Sequence, residues 1–107
     1  MSYELKQTAG GKFMFNLKAA NHQVILTSQL YEGKASAQSG IASVQKHGAD
    51  DKNFELKTAS SGQPYFILKA SNGQTIGKSE MYNSEAAAKN GIASVKKNSA
   101  SSKIKEA

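Results

Sequence analysis

Apolar side chains recur at every second position through the first thirty residues. Tyr3 and Leu5 alternate with Glu4 and Lys6, and Gly10-Gly11 then breaks the pattern as a turn. Phe13, Phe15, Leu17 and Ala19 share one face of the next segment, with Lys12, Met14, Asn16 and Lys18 on the other. Asn21-His22 makes a second turn, and Val24 to Ser28 reads as a third strand with Ile25 inward. A period of two is the mark of a strand. The spacing then lengthens: Ala37, Ile41 and Val44 fall on one stripe of a proline-free stretch from Ala35 to Lys46, which predicts a helix.

The chain then repeats itself. An offset of 51 residues carries Tyr3-Glu4-Leu5-Lys6 onto Phe54-Glu55-Leu56-Lys57, and Gly40-Ile41-Ala42-Ser43-Val44 onto Gly91-Ile92-Ala93-Ser94-Val95. Ser61-Gly62 replaces the first glycine turn. Asn72-Gly73 is a strong two-residue hairpin signal, of the kind that gives a type I′ turn. Ser84 is a good N-cap before Glu85, where the first copy has only Gly33. Gly40 and Gly91 sit inside their helices, where glycine costs about 1 kcal/mol relative to alanine. Their recurrence points to a close helix–sheet approach.

Repeats of about fifty residues are too small to hold a stable core alone, so residues 1–50 and 51–107 are expected to close over one core in a single domain, 1–107. Gly48-Ala49-Asp50-Asp51 is too short for a linker between free domains. In the tail, Lys103 and Glu106 align with Lys52 and Glu55, which allows either a last strand or a frayed terminus.

Hydrophobic residues make up 38% of the chain, and no apolar run approaches the roughly 20 residues of a membrane helix. The patterned sequence begins at once, without a leader, and a cytoplasmic monomer is expected. No cysteine is present, which excludes disulfides, thiolate catalysis and cysteine–zinc sites. The net charge is +6, and all 14 basic residues are lysine. Such a chain is drawn to polyanions, but without arginine it lacks the fork that reads guanine edges and phosphates. Surface lysines kept for solubility explain the same composition.

The phenylalanine-bearing strand, the Leu-Lys-Ala ending, the Asn-containing turn, and then Ser, Tyr and the Gly-Ile-Ala-Ser-Val helix form one motif. It stands at Phe15 to Asn21 with Ser28, Tyr31 and Gly40 to Val44, and again at Phe66 to Asn72 with Ser79, Tyr82 and Gly91 to Val95. This paired motif resembles the YegP-like family of small uncharacterised bacterial proteins. The resemblance implies an α+β fold of tandem β-β-β-α-β units sharing one antiparallel sheet. Two helices pack on one face, and the strand after each helix crosses to the other repeat. It implies dimers for members with a single copy, and it transfers no catalytic residue. Departures from the pattern are Gly33 at a serine-like cap, and His22 where the second copy has Gly73.

No nucleophile elbow, P-loop or dinucleotide fingerprint occurs, and no cofactor or metal is implied. His22 and His47 stand alone. Ser28 and Ser79 suit hydrogen bonding where strand gives way to helix, and Tyr31 and Tyr82 suit an aromatic staple at the same junction. If the helices cover the face bearing Phe15, Leu17, Phe66 and Leu68, the other face shows Lys6, Met14, Asn16, Lys18, Lys57, Tyr65, Ile67 and Lys69. The expected function is therefore non-enzymatic: an interaction module that binds protein through this open face. The alternative is a non-specific binder of nucleic acid or another polyanion through Lys6, Lys18, Lys57 and Lys69.

Overall fold

The computed structural model describes residues 2–19, 21–101 and 103–106, so Ala20 of the turn motif and Ser102 of the tail lie outside the described residues. The first repeat supplies β1 (Ser2–Gln7), β2 (Phe13–Lys18), β3 (Val24–Ser28) and α1 (Lys34–His47). A single 3-10 turn, Asp51–Asn53, leads into β4 (Phe54–Thr58), β5 (Pro64–Lys69), β6 (Thr75–Lys78), α2 (Glu85–Asn98) and β7 (Ile104–Glu106). Asp50 caps that turn by accepting from the Lys52 amide.

All seven strands join one sheet in the order β4-β5-β6-β3-β2-β1-β7. The two repeats meet where β3 pairs with β6, through Thr27↔Lys78 and Ser28↔Gly77. Thr27 and Lys78 are equivalent under the 51-residue offset, so this pair marks the pseudo-two-fold axis. The expected exchange is present, since β4 pairs with β5 after α1 and β7 pairs with β1 after α2. The sheet is mixed rather than purely antiparallel, because β7 runs parallel to β1. The Tyr3 hydroxyl donates to the Ser99 carbonyl at 2.5 Å, and the Tyr3 amide donates to the Lys103 carbonyl at 2.9 Å. Those two bonds lead the chain from the end of α2 onto the outer edge of β1.

The strands join through hairpins of one kind. Gly11, Gly62 and Gly73 have positive φ, as does His22 at 66°, the one non-glycine residue in that region among those described. Each donates its amide three residues back, to Thr8, Ala59, Ala70 and Ala19 respectively. In the Ala70–Gln74 loop only Gly73 is left-handed, so Asn72-Gly73 is not the type I′ turn its sequence suggests but part of a three-residue loop. The Asn72 side chain instead accepts from the Gln74 amide and holds the bend.

Tyr3, Leu5, Phe15, Leu17, Leu26, Phe66 and Leu68 form the sheet side of the core, closed by Ile41, Val44 and Val95 from the helices. Register slips in the β2–β3 and β5–β6 ladders let Ile25 and Ile76 join this core beside their inward neighbours. The glycines within the helices have a specific neighbour. Tyr31 stacks on Phe15 and Tyr82 on Phe66, with ring centroids 6.2 and 6.1 Å apart. A Cβ on Gly91 would stand 2.7 Å from Tyr82 Cζ and 2.9 Å from Phe66 Cε2, and Gly40 faces Tyr31 and Phe15 in the same way. Helix caps follow the local sequence: Ser84 Oγ accepts from the Ala87 amide, whereas Gly33 offers no side-chain cap.

Candidate functional site: the open sheet face and its central seam

Cross-strand register places the expected residues on the face away from the helices, in two groups. Lys6 lies opposite Met14, and Asn16 lies opposite Glu4. Lys57 lies opposite Tyr65, and Ile67 opposite Glu55. The groups stand apart, because β3 and β6 separate β2 from β5 by three strand spacings, roughly 14 Å. Thr27 and Lys78 complete the row between Asn16 and Ile67.

Asn16 and Ile67 lie in this face yet are buried, each 7% exposed. The Thr27 hydroxyl donates to Asn16 Oδ1 at 2.9 Å, which closes the middle of the row. The lysines are mostly engaged. Lys18 pairs with Glu4 at 3.1 Å, and Glu55 takes both Lys69 at 2.5 Å and Lys57 at 3.3 Å. The Glu55 carboxyl is held below the usual carboxylate range, first by the hydrogen bond from Lys69 and then by that from Lys57. Of the four lysines of the polyanion reading, Lys6 alone has no carboxylate within ion-pair distance among the described residues.

A groove of about 420 Å³ opens over the seam, lined by Thr27, Gln29, Thr75, Gly77, Lys78 and Glu80. It exists because β3 and β6 pair over only two residues before diverging. Lys78 Nζ lies 5.4 Å from the Tyr65 ring centroid, a cation–π distance, so the aromatic residue of the face is tied to the groove. Immediately after Gln29 and Glu80 come Leu30 and Met81, exposed by 58% and 40% at equivalent positions of the two repeats. Sequence reasoning missed these groove and loop residues. The offset relates Thr27 to Lys78 and Leu30 to Met81, but which equivalent positions lie on the two-fold axis is fixed by the β3–β6 pairing.

The recurring hydroxyls do structural work. Ser28 Oγ accepts from the Phe15 amide at 2.9 Å and donates to the Gln29 carbonyl at 2.7 Å, and Ser79 does the same between Phe66 and Glu80. Each hydroxyl takes the place of a ladder carbonyl and lets the chain bulge before Tyr31 or Tyr82 re-engages the neighbouring strand. Burial raises the pKa of both tyrosines. His47 Nδ1 donates to the Ser43 carbonyl at 2.9 Å, capping its own helix end, and His22 occupies its turn. No helix among the described residues is long and apolar enough to cross a membrane.

One mixed sheet, two helices on one face and a two-fold seam define a duplicated α+β protein built from tandem copies of one unit. The profile of a domain of unknown function, DUF1508, matches residues 9–55 and again 59–106. The chain belongs to the uncharacterised UPF0339 family, to which YegP also belongs. It is 62% identical to a UPF0339 protein of Mannheimia succiniciproducens over 97% of this chain and 92% of that protein. It is 53% identical to YegP of Yersinia pestis over 97% and 93%. The solution NMR structure of YegP from E. coli, a protein of unknown function, superimposes with a TM-score of 0.92 at 47% identity, covering 97% of this chain and 90% of that one. A UPF0339 protein from Shewanella oneidensis gives 0.91 at 47% identity, covering 97% and 88%.

Proposed function

We propose that this protein is a non-enzymatic, cytoplasmic interaction module, itself monomeric, that binds a protein partner across its open sheet face. The observation that carries this reading is the seam groove, set in the centre of the face and followed at each repeat by an exposed apolar residue, Leu30 or Met81. A protruding partner side chain fits such a groove, with Tyr65 and Met14 as the half-buried apolar surface on either side. The polyanion reading has the net charge of +6 in its favour. It is the weaker one, because Lys18, Lys57 and Lys69 already hold carboxylates and release fewer counterions on binding.

The test has two arms. Isotope-labelled protein is titrated with a mixed-sequence single-stranded oligonucleotide at low and moderate salt, and the amides of β2, β5 and β6 are expected to stay in place. A photo-crosslinking residue introduced at Lys78 is expected to trap one protein in cells, and Tyr65→Ala with Met14→Ser to abolish that product. Ile67 is left intact in this arm, since its burial would confuse folding with binding. Salt-sensitive shifts at Lys18, Tyr65 and Lys69 on adding the oligonucleotide would overturn the reading in favour of polyanion binding.

A further inference from the structure

The two edges of the sheet are built from nearly the same strand and end differently. β1 carries Tyr3-Glu4-Leu5-Lys6 and β4 carries Phe54-Glu55-Leu56-Lys57, yet β1 is flanked on both sides while β4 pairs only with β5 among the described residues. β7 covers β1 in parallel register, Tyr3↔Ile104, Glu4↔Lys105 and Leu5↔Glu106. The effect on the side chains is large: Leu5 is 2% exposed and its duplicate Leu56 is 37% exposed. At the start of β4 the Phe54 amide is taken by the Asp51 carbonyl of the 3-10 turn, whereas the equivalent Tyr3 amide donates to the Lys103 carbonyl just before β7, so the open stretch of this edge lies beyond Phe54 and carries the uncovered Leu56. Such an edge is a template for one more strand.

Charge decides which strand can use it. Glu106 of β7 is gripped by Lys34, the first residue of α1. The 51-residue offset puts Glu85, the first residue of α2, where Lys34 stands. Among the described residues Glu85 pairs with Lys89, one helical turn on, and both are about two-thirds exposed. The duplicated edge therefore keeps the apolar row and reverses the clasp. The tail of a second copy would bring Glu106 against Glu85, like charge against like, so the protein's own tail is steered to β1. Without this reversal each tail could pair with the β4 edge of the next molecule, a head-to-tail contact.

We propose that the free edge of β4 is a docking site for an extended segment of a partner protein. The segment runs parallel to β4 with an apolar residue beside Phe54 and a lysine or arginine two positions later, beside Leu56 and Glu85. This site is separate from the open face, and either can fail without the other.

Two synthetic peptides test it, Ser-Lys-Ile-Lys-Glu-Ala from the chain's own tail and Ser-Lys-Ile-Lys-Lys-Ala, each titrated into labelled full-length protein. The lysine peptide is expected to shift the amides of Phe54 to Thr58 and to bind about two- to fivefold more tightly than the native peptide, as a solvent-exposed ion pair allows. Glu85→Lys is expected to reverse that preference and to make the intact protein associate with rising concentration in sedimentation, because its own tail then suits both edges. The proposal is overturned if neither peptide moves the β4 amides, if the shifts fall on β1 by displacing β7, or if Glu85→Lys leaves the preference and the monomer unchanged.

Discussion

At the seam between the repeats, position 26 is a fully buried leucine and its duplicate, position 77, is a glycine. A Cβ on Gly77 would stand 2.8 Å from Leu26 Cγ, so one side chain fills a space that two related ones would contest. Two other duplicated pairs, Tyr3 with Phe54 and Gly48 with Ser99, also differ in size or chemistry. Tyr3 reaches the Ser99 carbonyl with its hydroxyl, whereas its counterpart Phe54 has none. At the ends of the helices, a Cβ on Gly48 would meet Ser99 Oγ at 2.8 Å. A duplicated chain can thus do what a symmetric pair of identical chains cannot: place a large residue on one side of the axis and a small one on the other. Packing at the axis, more than anything in the strands themselves, commits the two halves to one molecule.

The largest expected effect falls on that pair. Leu26→Ala should cost roughly 2–5 kcal/mol in chemical denaturation, the range for emptying a buried leucine site. Gly77→Leu alone should cost roughly 1–3 kcal/mol through overpacking. The exchange Leu26→Gly with Gly77→Leu should recover much of the sum, as coupling between touching residues requires. Simple additivity of the two penalties would show that the seam does not work as a complementary pair.

Tyr3→Phe makes the first repeat copy the second at this point. The Ser99 carbonyl loses its partner in a buried setting, at a cost of about 1–3 kcal/mol. Because that bond leads the chain toward β7, hydrogen exchange at Ile104 to Glu106 should accelerate along with the fall in global stability. Unchanged protection there would mean that the Lys34–Glu106 ion pair holds β7 without it.

The helix glycines behave alike in both repeats and sharpen the contrast. Gly91→Ala should destabilise by roughly 1 kcal/mol net, crowding against Tyr82 outweighing the gain in helix propensity. Adding Tyr82→Phe removes the nearest crowding atom, the hydroxyl, but leaves the ring carbon and Phe66 Cε2 within 3.0 Å of the new methyl, so the thermal midpoint should return only part of the way toward that of the single Tyr82→Phe protein. Gly40→Ala with Tyr31→Phe should follow the same course.

Much of this was legible in the chain. Alternation at Phe13 to Ala19 and at Tyr3 to Lys6 marks strands, the spacing of Ala37, Ile41 and Val44 marks a helix, and the 51-residue offset gives the duplication, while the shared sheet is what the resemblance to the YegP-like family implies. The recurring helix glycines point to a close approach. What escaped reading depends on contacts far apart in sequence. Nothing within Ile104-Lys105-Glu106 says that it will lie parallel to β1 rather than fray, since a tyrosine hydroxyl and a lysine in the other repeat decide it. Strand parity puts Asn16 and Ile67 on the open face, but their burial reflects Thr27 and the row of neighbours around them. Asn72-Gly73 reads as one turn and forms another because the asparagine side chain finds the Gln74 amide.

A smaller difference between the repeats lies in that same turn, where Gly73 at φ 84° corresponds to His22 at φ 66°. A side chain in the left-handed region carries a steric cost that glycine avoids, partly offset by the larger entropy of glycine in the unfolded chain. His22→Gly should therefore stabilise the protein by about 0.5 kcal/mol, and Gly73→His should destabilise it by a similar amount. If both changes proved neutral, the hairpin would have another conformation within easy reach.

The smallest expected effect concerns acid. Glu55 is gripped by Lys69 and Lys57, whereas its duplicate Glu4 has one lysine, Lys18, among the described residues. Its folded-state pKa lies below the ordinary carboxylate value, so its contribution to stability is present above that value and is lost as pH falls through the lowered one. Lowering the pH from 6 to 3 should reduce the thermal midpoint, and Glu55→Gln should flatten part of that slope more than Glu4→Gln does. High salt should shrink the difference, because Glu55 faces solvent and screening acts on it directly. Equal slopes for the two variants would mean that the second lysine adds nothing, and that the two edges of the open face are electrostatically alike.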